Sequence, residues 1–246
     1  MPIPESTLTS HTNVGLPVAH HFDDWQQQTD ARVLGMWVFL VTEIMFFGGL
    51  FTTYMIYRTS APAAFAAGSN HLSIWLGGTN TVVLLTSSFT MALAVYSAHH
   101  RSEKNLLLFL GATIVLGVAF MGIKGYEYYE KYVDELMPIR GLTFNADQLV
   151  HGNEPGATKE ESGHPAIDEG KAKIFYGLYF AMTGVHFLHM VIGIAFLLLF
   201  LRPAVRGSFT GGNFVPVELM GLYWHFVDIV WIFLFPLLYL IDRSHS

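Results

Sequence analysis

Five apolar segments, at about residues 33–57, 73–97, 105–126, 173–201 and 220–241, are each long enough to cross a bilayer, which takes about 20 residues of helix. Within lipid a segment must satisfy its own backbone N–H and C=O groups, so such a run becomes a helix. Each segment also carries Gly, Ala, Ser and Thr among its Leu and Phe. That mixture lets helices approach one another closely, which a single anchor does not need. The sequence therefore predicts an all-α fold, a polytopic transmembrane bundle of five helices. The charged fraction agrees: it is 13%, against about 25% in soluble domains.

Two regions follow from this layout. Residues 1–32 form a polar N-terminal tail, with Asp23, Asp24 and Asp30, and residues 33–246 form the five-helix membrane domain. Met1 to Ser10 lack the basic stretch and apolar run of a secretory signal, so the first span is expected to do the targeting. Lys and Arg in the short connections set the orientation. Arg101 and Lys104 in the second connection and Arg202 and Arg206 in the fourth mark the cytoplasmic side. The N-terminus is then cytoplasmic and the C-terminus, Arg243 to Ser246, lies on the far side. The third connection, an external loop at 127–171, is acidic, with ten Asp and Glu from Glu127 to Glu169 against Lys131, Arg140, Lys159 and Lys171. It reads as a solvated loop or as a docking surface for a basic partner. Tyr126, Tyr128, Tyr129, Tyr132, Tyr223 and Trp224 are placed for the interfacial aromatic belt.

A net charge of −6, carried in loops, gives no reason to expect a nucleic-acid partner. There is no cysteine, so the chain alone offers no disulfide, thiolate zinc site, iron–sulfur cluster or thiolate copper centre.

Ionisable residues inside the spans carry the most information, since each costs about 2.5 to 3.5 kcal/mol at a helix centre on insertion scales. Glu43 lies near the middle of the first span, and helical spacing puts Phe39, Phe46 and Phe47 on its side. It is read either as an element of a proton or gas pathway or as a tie between helices. His186 and His189 stand three apart on the fourth span, and His225 and Asp228 repeat that spacing on the fifth. A di-metal centre held by inward-pointing carboxylates and imidazoles is one reading of this set. The bundle pattern for such a centre needs Glu-x-x-His on two helices, whereas this chain has His-x-x-His and His-x-x-Asp. Interhelical hydrogen bonding, with His225 and Asp228 as a local pair, is the reading preferred here, as it is for Asn80, Thr81, Thr86, Ser87 and Ser88.

Taken in order, these motifs resemble subunit III of the haem–copper cytochrome c oxidases. Gly35-Met36 through Glu43 to Phe46-Phe47, Asn80-Thr81 through Ser87-Ser88 to His99-His100, Glu127-Tyr128-Tyr129-Glu130, Thr183-Gly184 with His186, His189 and Gly193, and Tyr223 through Asp228 with Trp231 stand in register with that family. The resemblance implies an accessory subunit with no redox centre, hence no catalytic, cofactor or metal ligand of its own. Haem and copper would reside in partner subunits. Expected partners are oxidase subunit I, by direct helix packing, and subunit II, with membrane lipids, a bound phospholipid and cytochrome c as electron donor of the complex. Glu43 falls on the family's buried carbodiimide-reactive glutamate; His186, His189, His225 and Asp228 carry over as family-pattern polar residues. Larger members have seven helices and this chain begins where their third would start, so it resembles the short bacterial form, in an inner membrane. The same layout serves quinol oxidases and nitric oxide reductase systems, which remain alternatives, and an independent membrane metalloenzyme or transporter is the competing class.

Overall fold

The structure, a computed structural model, describes residues 22–133, 169–207, 209 and 214–240. Most of the expected polar tail, the centre of the acidic loop and the C-terminal Arg243 to Ser246 lie outside the described residues. All regular structure among the described residues is helical. The helices are α1 (Trp25–Ser60), α2 (Pro62–Asn70), α3 (Ile74–His99), α4 (Glu103–Val133), α5 (Glu169–Val205) and α6 (Val215–Phe235), with a π-helical turn at Pro236–Leu240. Five of them are long and apolar enough to cross a membrane.

Helix α1 starts well before the apolar segment because its N-terminus is capped. The Asp24 side chain accepts the Gln27 N–H at 2.7 Å, and the Gln27 side-chain carbonyl accepts the Asp23 N–H at 2.9 Å. Its 36 residues span about 54 Å, more than the roughly 30 Å of hydrocarbon in a bilayer. Pro62 opens α2, a position where its missing N–H costs nothing. This nine-residue helix was not foreseen from the pattern, being too short and too rich in alanine to show a period. It lies against α5, where a Cβ on Gly68 would come within 2.3 Å of the Phe175 ring. Tyr54, Phe65 and Phe175 meet there, with ring centroids 5.2 and 5.3 Å apart for the pairs through Phe65.

The α3–α4 hairpin closes with two backbone bonds, Arg101 N–H to Ala98 O at 3.2 Å and Ser102 N–H to Ser97 O at 3.0 Å. That pair is the Schellman pattern, with Arg101 at φ 53° in the left-handed position usually held by glycine. The start of α4 and the end of α5 share one end of the bundle, since a Cβ on Gly207 would strike the Glu103 carboxylate at 2.4 Å.

Helix α6 is the axis around which the others pack. Over half of its apolar window is buried (56%), against 11% for α1. Trp224 is fully buried. Cβ atoms on Gly117 of α4 and Gly193 of α5 would stand 2.9 and 3.1 Å from its ring, so two glycines admit the indole between their helices. Its N–H donates to the Ser87 hydroxyl of α3 at 3.0 Å. Trp224 and Tyr223 are therefore core residues and not members of an interfacial belt. Tyr126, Tyr129 and Tyr132 are exposed.

Candidate functional site

Glu43 of α1 meets His189 of α5, with Oε2 and Nε2 3.0 Å apart and both side chains partly buried, at 19% and 14% exposure. The other ring nitrogen of His189, Nδ1, lies 2.8 Å from the Val185 carbonyl. A carbonyl can only accept, so Nδ1 carries hydrogen and Nε2 must share a single proton with the Glu43 carboxyl. The pair is either acid with imidazole or carboxylate with imidazolium, and both hold one proton. Phe47, 5.4 Å from the imidazole by centroids, covers one side, and the Tyr223 hydroxyl donates to the His189 carbonyl at 2.8 Å. Thus α1, α5 and α6 are tied at this point.

The pair forms part of the wall of a side-opening cleft of about 660 Å³ between α1, α5 and α6. Met36, Phe39, Ile192 and Phe196 make most of the rest apolar, and Arg32 stands toward the other end. Arg32 and Glu43 are eleven residues apart on α1, so about 16 Å of helix separates them.

The remaining members of the predicted polar set do not join this pair. Residues three apart on a helix point about 60° apart; in α5 that offset sends His189 toward α1 and His186 into the interior, against Phe120 and Trp231 at 5.7 and 5.3 Å. In α6 it separates His225, whose Nδ1 lies 2.7 Å from the Ser88 hydroxyl, from Asp228, which is buried and makes no hydrogen bond. The expected His225–Asp228 bond is not formed.

A second charged site escaped the sequence reading, which ended the third span at residue 126 and put Glu127 in the external loop. Helix α4 continues to Val133, and Lys124 and Glu127 form an ion pair at 3.0 Å with both side chains buried. Tyr179 donates to Glu127 Oε1 at 2.7 Å, and Tyr239, which accepts from Lys124 at 2.5 Å, donates to the same oxygen. The ammonium lies 4.7 Å from the Trp231 ring centroid. The π-helical turn delivers Tyr239 to this site, and a bond from Ser69 of α2 to the Leu238 carbonyl at 2.8 Å holds the turn down. The signal available in the sequence was Lys-x-x-Glu at the end of an apolar run, i and i+3 on one face. Tyr128, expected at the interface, is partly buried and bonds Thr183 at 2.6 Å.

Among the described residues no group of three His, Asp or Glu side chains is placed to hold a metal ion. The family model described as cytochrome c oxidase subunit III matches residues 20–152 and 169–242, all five spans. The chain belongs to the cytochrome c oxidase subunit III family. It is 31% identical to cytochrome c oxidase subunit 3 of Synechocystis sp. over 96% of this chain and 84% of that one. It is 26% identical to cytochrome bo(3) ubiquinol oxidase subunit 3 of Pseudomonas aeruginosa, over 96% and 97%. To a probable quinol oxidase subunit 3 of Staphylococcus saprophyticus it is 28% identical, over 93% and 98%. As a subunit III of the haem–copper oxidases it is a multi-pass membrane component of a respiratory enzyme complex. The family match passes over residues 153–168, which fall in the acidic loop.

Proposed function

We infer that this subunit III serves a proton-pumping oxidase of the aa3 or caa3 type that takes electrons from cytochrome c. It holds no haem or copper and acts through its packing on subunit I, beside subunit II, in a bacterial inner membrane. The N-terminus is cytoplasmic and the C-terminus periplasmic; Arg101, Lys104, Arg202 and Arg206, at one end of the bundle, support that orientation. The Glu43–His189 pair steadies proton uptake and the active site through repeated turnovers, and the cleft beside it takes a structural phospholipid.

The observation that carries this reading is the family match across every span; the resemblance of the first span to the family supports Glu43 as its reactive carboxylate, and Glu43 is bonded to His189. The 31% identity to a cytochrome c oxidase subunit supports cytochrome c as donor. Quinol is the second reading, favoured by the ubiquinol oxidase relative that aligns over 97% of its own length.

The test is turnover of the purified complex with reduced cytochrome c and, separately, with a quinol. Oxygen consumption with cytochrome c is the expected result; consumption with quinol alone would make the complex a quinol oxidase. In the same complex Glu43→Gln is expected to leave the initial rate near wild type and to lose activity or pumping as turnovers accumulate. Wild-type turnover and proton stoichiometry throughout would remove Glu43 from any functional role.

A further inference from the structure

Three buried side chains, on α3, α5 and α6, hold six nitrogen and oxygen atoms with no hydrogen-bond partner within the chain: both ring nitrogens of His186, both amide atoms of Asn80 and both carboxyl oxygens of Asp228. The three residues are 1%, 0% and 2% exposed. The His186 ring is 5.3 Å from the indole. Asn80 precedes Thr81, whose hydroxyl accepts the Trp231 N–H at 3.1 Å. Asp228 lies one turn before Trp231, on a stretch of α6 bounded by two indole bonds to the antiparallel α3, Trp224 to Ser87 and Trp231 to Thr81. The Ser88 hydroxyl, 2.7 Å from His225 Nδ1, also stands beside the Asp228 carboxyl. From the fourth side, the Lys124 ammonium lies over the same indole. Two of its three donors are taken by Glu127 and Tyr239.

Buried polar groups in folded proteins are bonded with few exceptions, and where protein offers no partner, internal water does. An amide, an imidazole and a carboxyl demand a ligand that both donates and accepts. A cation does not meet that demand, because it offers no acceptor to the Asn80 amide N–H groups. We propose that Asn80, His186 and Asp228, on the three helices that meet about Trp231, form a hydrated site holding internal water molecules bonded to all three polar side chains. The bundle then has a second proton-exchanging interior, next to the Lys124–Glu127 pair and separate from Glu43 and His189 at the cleft. The assignment does not depend on which electron donor the complex uses.

Water-edited solid-state NMR of the isotope-labelled chain, within its intact complex in lipid, tests this directly. Magnetisation from water should build up on the Asn80 amide, the His186 ring nitrogens and the Asp228 carboxyl as fast as on exposed Glu130. Asp228→Asn should keep the transfer at the other two residues, and Asp228→Leu should lower it at least twofold. Build-up at any of the three wild-type side chains no faster than at the buried Leu84 methyls would overturn the proposal, whatever the variants do.

Discussion

A single proton between Glu43 Oε2 and His189 Nε2 is what the Val185 carbonyl enforces by occupying Nδ1, and it makes the two substitutions at residue 43 differ. Gln keeps an N–H donor for a neutral imidazole, whereas Leu leaves the ring nitrogen without a partner in an apolar wall. Leaving such a group unsatisfied costs about 1–3 kcal/mol, so in a thermal-melt assay of the complex Glu43→Leu should be clearly less stable than Glu43→Gln. Equal melting temperatures would mean the bond contributes nothing to stability. At the other charged site the order of effects is reversed by pairing. Lys124→Met strands the Glu127 carboxylate in the interior, and breaking a buried pair in this way costs about 3–5 kcal/mol. Removing both charges, as Lys124→Met with Glu127→Leu, should restore much of that loss in the same assay; a double variant worse than Lys124→Met would show that the pair is needed for more than neutrality. Glu43 was legible in the sequence because it stands alone in an apolar run. Lys124 and Glu127 were not, because Tyr126, Tyr128, Tyr129 and Tyr132 around them imitate the end of a span. Their partners, Tyr179 and Tyr239, come from 52 and 112 residues away.

Helix positions follow from apolar run length, and the ends follow from caps that hydropathy does not see. Asp24 extends α1 into polar sequence, and Glu127 remains in α4 because its charge is met inside the bundle. The short α2 has no periodic signature and is fixed by tertiary contacts, with Gly68 fitting beneath Phe175, Phe65 packed on Phe175 and Ser69 bonded to the Leu238 carbonyl. Two predictions belong here. Arg101 adopts a left-handed backbone that strains any side chain, so Arg101→Gly should stabilise the α3–α4 turn by up to about 1 kcal/mol, as a raised melting temperature. A fall would show that the arginine makes a compensating contact. Gly117→Val has the opposite sign, because the added methyls would meet the Trp224 ring where even a Cβ stands at 2.9 Å. Overpacking of that kind costs about 1–3 kcal/mol, and melting of the complex at or above the wild-type temperature would refute the close packing around Trp224.

Across the whole molecule, burial is uneven in a way that matches a subunit. Helix α6 packs on α3 and α5 and meets α4 at Gly117 and Phe120, while α1 turns Leu34, Trp37, Val41, Ile44 and Met45 outward. Lipid or another helix must cover that face, and the sequence cannot distinguish the two because both ask for the same apolar residues. The central claim is that this chain is an accessory component of an oxidase, and affinity purification of the tagged chain from its own membranes in mild detergent, with an optical spectrum and peptide identification, tests it most directly. Co-purification with a haem-bearing subunit that reduces oxygen, while the chain itself carries neither haem nor copper, is the predicted result. A chain recovered alone with stoichiometric metal or haem would contradict it.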